Sequence, residues 1–218
     1  EVPDRDYKHR PVPFGIEDVA PRERRVEDAR GRTVVVRRPP LGTILASAHD
    51  MGREPKIISA LNQTDPPGPP APGMCSDEAV NQRPFYVMGF VGGHIVRDTA
   101  TAEKVFDDKG RRRAGESLVE VMAAIHAVDV DAVGLGDLGR KEDYIARQLK
   151  RWYGQFQQSN ELMGRPIDLM HELHDFLSSR IPEQGPAAIV HGDYRLDNTM
   201  LGDDGNLKAV LDWEICTL

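Results

Sequence analysis

An α+β fold in two parts, strand-rich first and helical second, is what the 218-residue sequence predicts, and three observations carry it. The first part holds two short runs of β-branched or aromatic residues, 33–38 and 85–91, on either side of a proline–glycine cluster. The second part repeats apolar residues every three or four positions over 114–127, 142–158 and 166–180. Embedded near its end, residues 189–213 (IVHGDYRLDNTMLGDDGNLKAVLDW) alternate apolar runs with turn signals as a hairpin-like unit does.

Residues 1–31 are rich in Pro, Arg, Asp and Glu and show neither a helical nor a strand period, which reads as an arm or an incomplete start to the first part. Thr33 to Arg38 is strand-like and is stopped by Pro39 and Pro40. A period of two places Val35 and Arg37 on one face, with Val34 and Val36 on the other. A helix over about 49–61 carries Ile57, Ile58 and Leu61, and Pro55 suits it only from the first turn. DPPGPPAPG at 65–73 excludes regular structure. Phe85 to Val91 reads as a buried strand that ends at the turn signal Gly92-Gly93.

Each of the three later helices has an apolar stripe. Leu118, Met122 and Ile125 make the first; Ile145, Leu149, Trp152 and Phe156 the second; Leu169, Met170, Leu173, Phe176 and Leu177 the third. All three are expected to face the core. His126, His171 and His174 lie inside these helices without the spacing of paired ligands and read as structural.

Composition narrows the class. Hydrophobic residues make up 39% and charged ones 29%, ordinary for a soluble globular protein. A net charge of −7 argues against a nucleic-acid partner, which needs a basic face. Cys75 and Cys216 form no disulfide framework and no metal motif, so free thiols are expected. No apolar run approaches the roughly eighteen residues of a membrane span, and no signal peptide is visible. By default the expected location is cytoplasmic, with no membrane partner.

The chemistry concentrates in the hairpin-like unit. The apolar run 188–190 leads into His191-Gly192-Asp193, Asn198 follows after four residues, and a turn at 203–206 precedes a second apolar run, 209–211, that ends on Asp212. Read as strand, loop, strand, turn, strand, the unit converges Asp193, Asn198 and Asp212 on one end. Such a set suits phosphoryl transfer from MgATP: one aspartate meets an acceptor hydroxyl while an amide and a second carboxylate hold a hard, oxygen-seeking ion. Taken singly, the same residues read as a loop-capping acid, a turn Asn and a strand-end Asp. Asp203 and Asp204 read as plain turn acids, and Asp197 is expected to point away from the site.

The pattern H-G-D-x-x-x-x-N followed by a strand ending in D-W, complete here as His191, Gly192, Asp193, Asn198, Asp212 and Trp213, resembles the catalytic core of the aminoglycoside phosphotransferase and choline-kinase-like enzymes. Weaker matches, VVVRRPPLG at 34–42, AHDMGRE at 48–54, PFYVMGFVGG at 84–93 and RQLKRW at 147–152, resemble the kinase-like phosphotransferases associated with acyl-CoA dehydrogenases. The resemblance implies a two-lobed protein-kinase-like fold: an N-lobe over 32–91 with its hinge strand at 85–91, and a C-lobe over 92–218. It implies ATP and Mg²⁺ as cofactors, a small-molecule hydroxyl acceptor of aminoglycoside-like or hydroxyacyl type, and a functional link to acyl-CoA dehydrogenases.

Residue by residue, the resemblance makes Asp193 the acid that faces the hydroxyl, with Arg195 as a cation near the transferring phosphate and His191 as a brace for the loop. Asn198 and Asp212 become the magnesium ligands. Arg37 and Glu54 correspond to the strand cation and helix acid that bracket the phosphates, a role a guanidinium can fill by forking onto oxygens. Met88, Gly89 and Phe90 would face the adenine, Trp213 would pack, and Glu214 has no assigned role. Two parts of the family pattern have no match: a glycine-rich loop ahead of 33–38, where only Gly15 and Gly31 occur, and helices following D-W-E. These gaps keep two alternatives open: a pseudokinase-like docking module without catalysis, and a metal-dependent hydrolase using His191, Asp193 and Asp212.

Overall fold

The computed structural model describes residues 23–28, 30–38, 51–70, 73–81, 83–164 and 167–218. Four antiparallel strands form its first layer: β1 (Glu23–Glu27), β2 (Thr33–Arg37), β3 (Gly73–Cys75) and β4 (Phe85–Gly89), in the order β1-β2-β4-β3. β1 falls within the stretch that showed no period. Its sequence, ERRVE, has one apolar residue, and it is an edge strand with charged residues on its flanks. Charge on an edge discourages pairing with a further strand, and it also erases the alternation by which a strand is recognised. The turn into β2 is closed by Asp28, whose Oδ1 accepts from the backbone N–H of both Arg30 and Arg32 at 2.9 Å.

α1 (Arg53–Leu61) starts after Gly52, so Pro55 stands in the first turn, where a missing N–H costs nothing. It buries Ile57, Ile58, Ala60 and Leu61. The expected start of this helix at 49–50 lies outside the described residues.

The proline cluster that follows is irregular through residue 70 but has a clear structural use. Proline cannot donate, yet its carbonyl still accepts. Pro67 O accepts from Val210 N at 3.1 Å and Pro70 O from Gly89 N at 2.5 Å, tying the far end of the hairpin and the end of β4 to one loop. β3 begins at Gly73, the last residue of the cluster, and α2 (Glu78–Asn81) follows it. Neither short element had a sequence signal.

β4 ends two residues earlier than expected, and the chain beyond it turns onto the hairpin. His94 and Leu201 exchange backbone hydrogen bonds at 2.8 and 2.9 Å. A Cβ at Gly93 would stand 2.3 Å from the Leu201 carbonyl oxygen, so only glycine allows this approach.

α3 (Thr99–Val105) and α4 (Asp108–His126) are capped by Asp98 and Asp107, each accepting from an N–H three residues on. Of the stripe expected on α4, Ile125 is buried and Leu118 packs against the core while Met122 is 36% exposed, and the Ser117 hydroxyl accepts from Leu207 N at 2.9 Å. α5 (Tyr144–Met163) and α6 (Asp168–Ser178) differ from expectation. Neither has a buried residue; Trp152 is 59% exposed and Leu169 70%. They pack on each other, with the Tyr153 ring stacked on His174 at 3.8 Å and its hydroxyl bonded to His171 Nδ1 at 2.6 Å. An amphipathic stripe marks a face that gains from cover without saying what covers it. His171 and His174 thus serve helix packing, as expected of them.

The hairpin itself is β5 (Thr199–Leu201) and β6 (Leu207–Val210), preceded by a single 3-10 turn, Leu196–Asn198. The apolar run 188–190 is not a strand of this sheet. Val190 instead pairs with Thr217 through two 2.8 Å backbone bonds, and Ile189 is fully buried beside it. Asp203 is more than a turn acid, because it meets His94 Nε2 at 2.7 Å. Among the described residues no helix is long and apolar enough to cross a membrane.

Candidate active site

The loop between Val190 and β5 is built on one buried imidazole. His191 is 3% exposed; its Nε2 donates to Leu211 O at 2.9 Å, which leaves Nδ1 to accept from Asp193 N at 3.3 Å. Burial holds its pKa below the ordinary value, and its ring packs 4.5 Å from that of Trp213. An imidazole that bonds at both nitrogens fixes the loop against the end of the hairpin. Gly192 between them has φ +90°, and a Cβ there would lie 2.9 Å from Ile215 O, so the middle residue of H-G-D is glycine for conformation and for space. Tyr194 secures the far side: its hydroxyl donates to Leu118 O at 2.7 Å, and burial pushes its pKa up to about 12.

Asp193 is exposed and is held by Asn198. The amide Nδ2 donates to Asp193 O at 2.9 Å and to its Oδ2 at 3.0 Å, which orients the carboxylate. Among the described residues, no partner engages Asn198 Oδ1. Its backbone carbonyl accepts from Leu211 N at 2.9 Å, so the residue beside Asp212 is tied to the loop that carries Asp193. The sequence-predicted trio thus sits on one connected piece of backbone. Asp212 itself has φ +64°, a conformation that Asp tolerates better than most residues and that is found where structure over-determines it.

Across from the hairpin, β2 and α1 supply a second group. Arg37 is 7% exposed and Glu54 3%, and they form an ion pair through Nη1 and Oε2. Nη2 of the same guanidinium donates to Asp212 Oδ1 at 2.9 Å and to Glu214 Oε1 at 2.7 Å. Glu54 also accepts from Trp213 N through Oε1 at 3.3 Å. Burial pushes the Glu54 carboxyl pKa up, against the pull of Arg37. Tyr86, fully buried with its hydroxyl 3.5 Å from Arg37 Nη1, is likewise raised by burial and by Glu54. Glu214 and Tyr86 had no predicted place here. Adjacency to the D-W step could have flagged Glu214; nothing local could have flagged Tyr86.

Other predicted residues stand apart. Arg195 is exposed and forms a two-pronged ion pair with Asp197, which raises its own pKa and commits it locally. At the end of β4, where a hinge is expected, the N–H groups of Gly89 and Phe90 already donate to Pro70 O (2.5 Å) and Thr33 O (3.3 Å), and the Phe90 ring lies 4.1 Å under the Arg25 guanidinium. Met88 is buried in the core at 6% exposure. Of the stretch ahead of 33–38, where a phosphate-covering loop is expected, residues 23–28 and 30–32 form β1 and its turn, and residues 1–22 lie outside the described residues.

The donor set suits a hard divalent cation. Oxygens of Glu54, Asp212 and Glu214 lie within 4.8 Å of one another, with Asp212 and Glu214 partly exposed, and carboxylate oxygen is what magnesium prefers. Arg37 adds a positive charge beside these oxygens from a buried position.

These features coincide with what comparison finds. A family model described as "Phosphotransferase enzyme family" matches residues 14–218. Acyl-CoA dehydrogenase family member 10 of Mus musculus is 34% identical over 188 residues, covering 86% of this chain and 17% of that protein. Acyl-CoA dehydrogenase family member 11 of Homo sapiens is 32% identical over 189 residues, covering 86% of this chain and 24% of its own length. The chain therefore spans less than a quarter of these relatives. A solved structure from Ralstonia eutropha JMP134, assigned to the aminoglycoside phosphotransferases, superposes with a TM-score of 0.73 at 32% identity over 92% of this chain and 61% of that one. The streptomycin–ATP–APH(2")-IIa ternary complex shares the fold at a TM-score of 0.57 and 14% identity, over 89% of this chain and 67% of that one. The fold is kinase-like, α+β, with an antiparallel sheet leading into a helical part, and the chain belongs to the phosphotransferase enzyme family.

Proposed function

We propose that this chain moves the γ-phosphoryl group of MgATP to a hydroxyl of a small molecule. The observation that carries the reading is the double anchoring of one site: Asn198 holds the Asp193 carboxylate, while Arg37 joins Glu54 to Asp212. Asp193 meets the acceptor hydroxyl, orients it in line and accepts its proton late in transfer. Arg37 takes the charge of the phosphates from its fixed place between sheet and hairpin. His191, neutral and buried, keeps the loop in register with Leu211 and thereby sets the distance from Asp193 to Asp212. Asn198 through Oδ1 and Asp212 through its carboxylate would hold Mg²⁺, which when bound neutralises and orients the phosphates.

ATP as donor is supported by the relative solved with ATP and streptomycin. The relatives that are acyl-CoA dehydrogenase family members favour a hydroxyacyl-type acceptor and a functional link to such dehydrogenases. We take the lobes to divide just after β4.

The test is a screen of hydroxyacyl thioesters, simple alcohols and aminoglycosides for ADP release by the intact protein. One acceptor class is expected to stimulate release, and Asp193→Ala is expected to lower that rate by about 10²–10⁴. Full phosphorylation of a proven acceptor by the Asp193→Ala protein defeats the assignment. Absence of nucleotide binding in calorimetry with MgATP favours the docking module instead.

A further inference from the structure

We infer that Arg53 is a positioning residue for the metal site: from the first turn of α1 it clamps the segment that follows Asp212 and so sets where that carboxylate stands. The inference rests on the phosphotransferase reading above and concerns a residue outside the machinery named there.

A positive charge at the start of a helix is out of place, because that end of the macrodipole is itself positive and favours acids. Arg53 is the first residue of α1, so the helix gives no reason for a cation there. Its contacts do. Nη2 donates to Leu138 O at 3.0 Å and to Cys216 O. The next residue, Glu54, accepts from Trp213 N through Oε1 at 3.3 Å. Within the segment itself, Cys216 N donates to Trp213 O at 3.2 Å. The turn 213–216 is therefore gripped at both ends by two consecutive side chains, one taking its first N–H and the other its last carbonyl.

Asp212 stands directly before this turn with φ +64°, a backbone state that persists where its surroundings fix it. On its other side, Leu211 N donates to Asn198 O at 2.9 Å, which ties the second proposed metal ligand to the same stretch. Asp212 is thus bracketed: the loop that carries Asn198 holds the residue before it, and α1 holds the turn after it. Arg53 and Cys216 are 163 residues apart, so this contact is made by the fold and not by neighbourhood in the chain. Magnesium demands near-ideal octahedral geometry, and groups that orient its ligands from behind matter nearly as much as the ligands. Lys56 on the same helix provides an internal comparison. It joins α1 to the loop of Leu138 through Asp137 at 2.6 Å, but at the surface.

The test is calorimetry of a non-hydrolysable ATP analogue with Mn²⁺ and again with EDTA, the ratio of the two affinities measuring what the metal contributes. The wild-type protein is expected to bind the analogue more tightly with Mn²⁺. Arg53→Gln is expected to shrink that ratio by about tenfold, the lower end of what losing a group behind a metal ligand costs, with the affinity in EDTA nearly unchanged. Arg53→Lys, which keeps the charge on a single nitrogen, is expected to lose less, and it carries the same test if Arg53→Gln does not fold. Lys56→Gln, which removes a surface ion pair from the same helix, is expected to leave the ratio as it is. A ratio unchanged in the folded Arg53 variants, or lowered equally by Lys56→Gln, overturns the positioning role and leaves the phosphotransferase reading standing. Analogue binding that ignores Mn²⁺ in the wild-type protein overturns the role as well. Failure of the wild-type protein to bind the analogue in either condition overturns both.

Discussion

Arg37 and Asp212 are 175 residues apart in sequence, yet the guanidinium Nη2 donates to the carboxylate Oδ1 at 2.9 Å. One buried side chain on β2 thereby reaches the end of the hairpin, and Glu54 on α1 holds it from behind. Removing that backing acid takes from the buried guanidinium the buried carboxylate that balances it. Glu54→Gln is expected to lower unfolding free energy by about 1–3 kcal/mol, the cost of weakening a buried charged hydrogen bond, as read by urea denaturation. Glu214→Gln, whose side chain is 32% exposed, is expected to cost less than about 1 kcal/mol.

His191 gives the fold a pH dependence of definite sign. Its pKa is held below 6.5 by burial, so on acidification the unfolded chain takes up a proton before the native one does. Stability is then fully present above about pH 6.5 and declines as pH falls below it, until the native imidazole also protonates. Urea midpoints at pH 7.5, 6.5 and 5.5, compared with those of His191→Gln, isolate this contribution from that of the other histidines. The wild-type protein is expected to lose its advantage over the variant as pH drops.

Two glycines are required by space. Gly93→Ala would press a methyl group against the Leu201 carbonyl at the bridge between the end of β4 and the hairpin. Gly192→Ala would add a Cβ against Ile215 O at φ +90°. Each is expected to destabilise by more than about 1 kcal/mol in thermal or urea unfolding. Gly115→Ala, on α4 with open space around its Cα, is expected to be neutral or stabilising by up to about 1 kcal/mol.

The two thiols differ in reach. Cys216 is 1% exposed and burial pushes its pKa up to about 12, whereas Cys75 is only half-buried at the end of β3. Mass mapping after brief alkylation at neutral pH is expected to label Cys75 first, with Cys216 reacting only as the C-terminal segment opens.

Local sequence was informative wherever the physics is local. The turn chemistry and apolar runs around His191–Asp212 revealed the hairpin, because turn residues and alternating burial act over a few positions. The helix expected over about 49–61 begins at Arg53, which puts Pro55 in its first turn, and the three long helices followed from their stripes. β1 stayed hidden because a charged edge strand has no alternation to read, and β3 because its start is the end of a breaker cluster.

At the candidate site the same division holds. Residue type and spacing singled out Asp193, Asn198 and Asp212 as a set that matches a chemical need, whereas the pairing of Arg37 with Glu54 came from the resemblance to kinase-like phosphotransferases. Which oxygen each nitrogen meets was decided only in three dimensions: Arg195 turning to Asp197, Gly89 N–H to Pro70, and Arg37 to Glu214 as well as Asp212. Hydrogen bonds form between whichever donors and acceptors packing brings within about 3 Å. That proximity is a property of the folded backbone, and no periodicity in the chain encodes it.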